Sequence, residues 1–421
     1  MTTTTQNDSQ PSLEQLIKEL EEAVRAGQTD IAMRLQSAIL QRLHAEASAR
    51  EGIERRVQSL MQRLEVPTSV PPPTPRAFSL DDELSSSSVE DERAGVIYPV
   101  WYATNRKVRA DGRGYTGERS DQVSRGRVDV RVPKAHRFGE TGSSFWKRLK
   151  RLDLRDDHLR VEKIEPQERD AFFAEIGRSM QAVREDGEAP HGLVFLHGYL
   201  TTFEAAAIRA AQIGVDLHVD GATAFFSWPS GGSVDAYTAD EASIEASERA
   251  ITDFLVDFQA HSGAAKVHVV AHSMGNRGLL RALQRIAANA ETQGKLKFGQ
   301  FFLAAPDLDR DLFLDLAYLY PQYSERTTLY ASNADLAVDL SSKVHRAARA
   351  GYFVPYTVAP GIDTVCVPNF NLDFLAHSYF AQAEALLHDI YDLMRNNNPP
   401  GKRQRIEPMT DEGKSFWRLR R

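Results

Sequence analysis

Lys266-Val-His-Val-Val-Ala-His-Ser-Met-Gly275 runs directly into Asn276-Arg-Gly-Leu-Leu-Arg-Ala-Leu-Gln-Arg-Ile286. A short apolar strand pattern enters Ala271-His-Ser-Met-Gly275, and a helical pattern leaves it. Strand, small-x-Ser-x-Gly, helix is the pattern of a nucleophile elbow. The chemistry dictates the spacing. The turn is so tight that the residues two before and two after the serine face each other, and only small side chains fit there. Gly275 meets that condition outright, while Ala271 stands where glycine is more usual, its methyl being about the largest group expected to fit. The turn predicts a Ser273 hydroxyl lifted above a sheet, with a helix starting beneath it.

The flanking sequence alternates strand and helix patterns. Tyr98-Pro-Val-Trp-Tyr-Ala103 and Gly126-Arg-Val-Asp-Val-Arg-Val-Pro133 read as early strands, the second suited to an edge or half-exposed place. Gly192-Leu-Val-Phe-Leu-His-Gly198 reads as a buried strand, 202–217 as a helix, Ala222-Thr-Ala-Phe-Phe-Ser-Trp228 as a strand and 239–260 as one long helix. Beyond the elbow follow a strand at 300–305, a helix from 311, a strand at 327–331, a helix from 336, a strand at 363–367 and a final helix over 378–394. This alternation implies a mostly parallel central sheet with helices on both faces. The fold class expected is α/β, of the α/β-hydrolase type, preceded by an N-terminal helical segment.

A serine nucleophile needs a base, and the base needs an acid to orient it. In this fold the chain order is Ser, then Asp or Glu, then His, each beyond the carboxyl end of a strand. His377, in Leu375-Ala-His-Ser-Tyr-Phe380, follows the last strand and is the expected base. His345 and His388 lie on helical faces and read as surface or packing residues. Asp335, just past the penultimate strand, is the expected acid. Asp307 and Asp309, in Ala305-Pro-Asp-Leu-Asp309, follow the preceding strand and are the alternatives, though Asp307 also suits a helix cap.

Two backbone N–H groups should meet the oxygen of a tetrahedral intermediate. The candidates are Met274, which follows the nucleophile, and Tyr199, with Leu200 the second choice for the latter. Gly198 lets backbone approach substrate, and His197 is read as holding that loop. His197 is not the expected base, since it precedes the serine. His272 should pack locally. Ser227 and Trp228, in Ser227-Trp-Pro-Ser230, are further pocket candidates, with a core role the alternative for Trp228.

The 421 residues are 42% apolar and 26% charged, an ordinary globular balance, and suffice for one large domain with an appendage. A net charge of −7 gives no global attraction to nucleic acid. The single cysteine, Cys366, excludes an intrachain disulfide and a multi-thiolate metal site, and its apolar context suggests a buried, inert thiol. No metal and no cofactor are expected. Residues 1–10 carry no signal-peptide pattern and are read as disordered, and no apolar run approaches the roughly 20 residues that span a bilayer, so a cytoplasmic protein is expected. Residues 11–65 read as a helical hairpin or coiled coil with Leu13, Ile17, Leu20 and Val24 on one stripe. Such a narrow stripe predicts self-association or a protein partner. Residues 66–94 have the proline, serine and acidic composition of a linker, 95–395 form the hydrolase domain, and 396–421 read as a polar, basic, solvated tail.

The run from Val194-Phe-Leu-His-Gly-Tyr-Leu-Thr-Thr-Phe203, through Phe226-Ser-Trp-Pro-Ser230, Ala271-His-Ser-Met-Gly-Asn276, Ala305-Pro-Asp307 and His377-Ser-Tyr-Phe380, resembles the bacterial α/β-hydrolases grouped as domain-of-unknown-function 900. Trp101-Tyr-Ala-Thr-Asn-Arg106 resembles that family's opening. The resemblance covers roughly residues 95–395. It implies a serine hydrolase of esterase or lipase type with Ser273, Asp335 and His377 at the matching positions, and its alanine at the first elbow position agrees with Ala271. Leu200 stands where many members carry asparagine.

The expected reaction is cleavage of a small-molecule or lipid carboxylic ester through an acyl-enzyme. The alternatives are an acyltransferase using the same triad, and a non-catalytic scaffold working through the N-terminal helices. Phe145-Trp-Lys-Arg-Leu-Lys-Arg-Leu152 places apolar residues 145, 149 and 152 on one face among basic ones, the pattern either of a lid meeting a membrane surface or of a packed surface helix.

Overall fold

A computed structural model describes residues 95–133, 159–199, 201–231, 237–332, 347–367 and 380–420, together with Glu19. The chain divides into two units, Met1–Asp82 and Glu83–Arg421, and the second holds every described residue except Glu19, which is helical and exposed. The rest of the expected N-terminal hairpin, the linker, the segment 145–152 and the residues Leu200, Asp335, His345 and His377 lie outside the described residues.

Eleven strands form one sheet among the described residues. In chain order they are β1 (Val96–Val108), β2 (Tyr115–Val132), β3 (Arg160–Pro166), β4 (His191–Leu196), β5 (Gly221–Ser227), β6 (Lys266–His272), β7 (Phe298–Ala304), β8 (Ser324–Ala331), β9 (Ile362–Cys366), β10 (Ile406–Asp411) and β11 (Lys414–Leu419). Across the sheet the order is β10-β11-β9-β8-β7-β6-β4-β5-β1-β2-β3. Every pairing from β1 to β11 in that order is parallel, and β2, β3 and β10 add antiparallel pairings at the two edges. The expected mostly parallel sheet is therefore what forms.

Among the described residues of the second unit the α-helices are α1 (Arg169–Glu185), α2 (Phe203–Asp216), α3 (Tyr237–Ala246), α4 (Glu248–His261), α5 (Gly275–Ala288), α6 (Arg310–Leu316), α7 (Leu319–Tyr323) and α8 (Phe380–Asn396). Central strands are apolar on both faces, as burial on both sides demands, yet their side chains still sort with period two. Val194, Leu196, Val269, Ala271, Phe301 and Leu303 join one core with Phe254 of α4 and Leu279 and Leu283 of α5. Leu193, Phe195, Val270 and Phe302 join the other, with Ala206 and Ala210 of α2 and Leu386 and Leu393 of α8. Helices thus cover both faces.

Three sequence expectations need correction. The helix expected over 239–260 is two, α3 and α4: at Ser247 the N–H is shared between the Ser243 and Ile244 carbonyls, the backbone turns to φ −88° and ψ −3°, and the hydroxyl takes a hydrogen bond from buried Asn105. Residues 396–421 are not a solvated tail. Glu412 and Gly413 both have positive φ, the backbone of a two-residue hairpin turn, and the hairpin docks β11 on β9 with Trp417 opposite Val365. Arg403, expected in a solvated basic cluster, is fully buried and donates through Nε to Asp389 at 2.9 Å. Cys366 is buried, and burial pushes its thiol up to about 11, away from thiolate chemistry. No helix among the described residues is long and apolar enough to cross a membrane.

Candidate active site

β4 is the point where the sheet order reverses. β5 lies on one side of it and β6 on the other, with Leu196 paired to Ala271. Loops leaving two such strands diverge and open a crevice at their carboxyl ends, the usual ligand position in open α/β sheets. Here the two loops are the segment after β4, His197 to Thr201, and the elbow after β6.

Ser273 has φ +49°, the left-handed region, which a serine enters only under constraint. Such strain costs roughly 1–3 kcal/mol and persists where the surroundings over-determine it. They do so here. Ser273 N–H donates to Ala304 O at 2.9 Å, and Ser273 O accepts from Asn276 N–H at 3.1 Å and Asp307 N–H at 3.2 Å. The fully buried Asn276 side chain donates to Ala271 O and Ser273 O, both at 3.0 Å. Gly275 has no substitute, since a Cβ there would stand 2.5 Å from Leu196 O and 2.7 Å from His197 O. Ala271 is fully buried and its methyl packs in the core, so the elbow accommodates it. Ala305, beside the elbow, is also left-handed, with φ +42°, and its N–H bonds Tyr330 O at 2.9 Å. Nothing in the residue type announces that second strained position.

Gly198 presses against the serine. A Cβ on it would lie 3.0 Å from Ser273 Cβ and 3.1 Å from His272 Nδ1. His197 is buried, stacks on Trp228 with ring centroids 5.0 Å apart, and accepts at its carbonyl from Trp228 Nε1 at 2.9 Å. Its Nδ1 lies 2.7 Å from Gly198 O, an atom that can only accept, so Nδ1 carries the proton. Nε2 then accepts from the Ser227 hydroxyl at 3.3 Å. Burial, and then the Arg106 charge, push His197 down to about 3, so the ring is neutral. Ser227 and Trp228 are both fully buried. Both bond His197 beneath the loop, and Trp228 packs in the core. His272 is half-buried at the end of β6, while Tyr199 packs edge-to-face on Tyr237 at 5.4 Å.

Asp307 is buried just past β7. Its carboxylate accepts from the Tyr237 hydroxyl at 2.5 Å and lies 3.6 Å from Arg277 and 3.5 Å from buried Arg349. Arg277 Nε also donates to Asp307 O at 2.7 Å. The cap of α6 is Asp309, whose Oδ1 accepts from Asp311 and Leu312 N–H at 3.0 Å each, and not Asp307. Sequence spacing could not anticipate the Tyr237–Arg277–Arg349 grip, since its members lie in separate elements. In the chain, Asp335 follows β8 and His377 follows β9, and His388 is half-buried on α8.

Solved structures similar to this chain include an uncharacterized protein from Bacillus cereus, at 14% identity over 50% of this chain and 61% of that one, with TM-score 0.31. A "Putative hydrolase" from Agrobacterium vitis matches at 12% identity over 67% of this chain and 97% of its own, with TM-score 0.32. A "Putative Alpha/Beta Hydrolase" from Agrobacterium tumefaciens matches at 17% identity over 50% and 85%, with TM-score 0.29. The chain spans 61% of the length of the first of these. No curated protein matches the chain. The family model described as alpha/beta hydrolase of unknown function (DUF900) matches residues 178–395, which takes in both β4 and the β6 elbow, and the chain belongs to that family.

Proposed function

We propose that the protein is a serine hydrolase that cleaves a carboxylic ester through an acyl-enzyme. Ser273 is the nucleophile, His377 the base and Asp335 the acid. The observation that carries this reading is the left-handed Ser273 between β6 and α5, pressed against the Gly198 loop. Strain held by five hydrogen bonds from separate segments serves a reacting side chain better than a structural one.

In the proposed cycle, Ser273 Oγ attacks the ester carbonyl as His377 takes its proton. The tetrahedral oxygen accepts from the Met274 and Tyr199 N–H groups. Collapse expels the alcohol, which receives the proton from His377, and water repeats the sequence on the acyl-enzyme. Asp307 is the weaker candidate for the acid, because Tyr237, Arg277 and Arg349 already engage its carboxylate. The test is turnover of p-nitrophenyl esters of increasing chain length by the full chain. Native protein should release p-nitrophenol and Ser273→Ala should not; equal rates for the two would refute the proposal.

A further inference from the structure

The Thr104-Asn105-Arg106 segment closes the parallel part of β1, and the β1–β2 register breaks on both sides of Arg106. Such irregularities re-aim a side chain. Here the break accompanies a guanidinium that is buried, 1% exposed, inside the molecule. Burying a cation is costly unless its donors are met. Arg106 meets them with neutral oxygens on β2, on the end of β5 and on the loops that follow β4 and β5. Nη2 donates to Thr201 O at 2.7 Å, Nη1 to Ser230 O at 3.1 Å and Thr116 O at 3.2 Å, and Nε to Ser227 Oγ at 2.8 Å.

One of these bonds ends on the loop after β4, and a second reaches that loop through a relay. The first reaches Thr201 O directly. The second runs from Arg106 Nε to Ser227 Oγ, from the Ser227 hydroxyl to His197 Nε2, and from His197 Nδ1 to Gly198 O. Thr201 N–H adds a bond to Ser230 Oγ at 3.2 Å, and that hydroxyl donates to buried Asp240 at 2.5 Å. Tyr199 lies between Gly198 and Thr201. One guanidinium therefore grips the loop on both sides of Tyr199. We infer that Arg106 is the positioning residue for the Tyr199 backbone N–H, fixing it where the oxyanion develops; this inference rests on the serine-hydrolase reading of Ser273.

The planar, five-donor fork is what the task requires. A lysine keeps the charge but cannot span acceptors on separate segments at once. The test uses the full chain, a short-chain p-nitrophenyl ester, and an alkyl trifluoromethyl ketone, which forms a tetrahedral oxyanion on the serine. Arg106→Lys should lose about 100-fold in kcat, the scale of one oxyanion donor, with KM changed less than about threefold. Affinity for the ketone should fall by the same factor as kcat, a coupling that loss of folded protein would not produce. Millimolar guanidinium should restore part of the activity of Arg106→Gly. Native kcat in folded Arg106→Lys, or a kcat loss with unchanged ketone affinity, would overturn the inference. If Arg106→Lys does not fold, Ser227→Ala carries the test, since it cuts only the relay to Gly198. It should lose about tenfold in kcat and in ketone affinity together, and unchanged values would overturn the inference. Native protein that neither hydrolyses the ester nor binds the ketone would instead sink the underlying serine-hydrolase reading.

Discussion

The Asn276 side-chain amide donates to the carbonyl oxygen of Ser273 at 3.0 Å, and the same nitrogen reaches Ala271 O. One buried amide thus closes the turn that strains the serine. Asn276→Ala should cost about 1–3 kcal/mol, the penalty for leaving buried acceptors unmet. Asn276→Asp should cost more, because a carboxylate would face carbonyl oxygens with no proton to give. Urea unfolding of both variants checks the ranking, and an Asp variant as stable as native protein would contradict it.

The choice of acid separates in a pair of variants. On the proposed reading, Asp335→Asn removes the partner that holds His377 in its working tautomer and should lower kcat by about 10⁴-fold. Asp307→Asn breaks a buried contact set with Tyr237, Arg277 and Arg349, and should lower stability by about 3–5 kcal/mol. Its kcat, corrected for folded fraction, should fall far less. The reverse pattern in kcat would transfer the role to Asp307.

The elbow of this site was legible in residue order. The β6–α5 elbow showed itself because Val267 to Ala271 form an apolar strand, Leu279, Leu280, Leu283 and Ile286 follow at helical spacing, and only Gly275 fits between them. The grip on Asp307 and the role of Arg106 were not legible. Each joins residues far apart in the chain, and an arginine near the end of a strand looks like a solvated edge until the register break turns it inward. The C-terminal hairpin escaped for a different reason. Its strands are short and near the sheet edge, they lack the clean apolar–polar alternation that marks a strand, and the Glu412-Gly413 turn is not the usual Asn-Gly signal. Helix α1 hid its apolar face, Phe172, Phe173, Ile176 and Met180, among charged residues.

That hairpin should be integral to the domain. Arg403→Met leaves Asp389 as an uncompensated buried charge and should cost about 3–5 kcal/mol. Truncation after residue 396 uncovers the β9 edge and should promote association. Thermal unfolding and size-exclusion chromatography test both expectations, and a monomeric truncation with native stability would contradict them.

Stability should decline in acid through two buried histidines. Burial, and then the charge of neighbouring His191, push His268 down to about 3, and His197 is likewise pushed down to about 3. Both are neutral when folded and titrate near 6.5 when unfolded. Between those values the unfolded chain binds more protons, so stability is complete above pH 6.5 and falls as pH drops toward 3. Each histidine contributes a slope of about 1.4 kcal/mol per pH unit in that window. His268 Nδ1 accepts Gln300 N–H at 3.1 Å, and His268→Gln offers an oxygen in its place. Urea midpoints across the window should fall less steeply for this variant; an unchanged slope would remove His268 from the account.

The central claim is that Ser273 is the nucleophile. Its most direct measurement is peptide mass spectrometry of the full chain after exposure to a fluorophosphonate probe. One phosphonyl group should appear on Ser273, and Ser273→Ala should stay unlabelled. Native protein that stays unlabelled, or that carries the adduct on another residue, would contradict the claim.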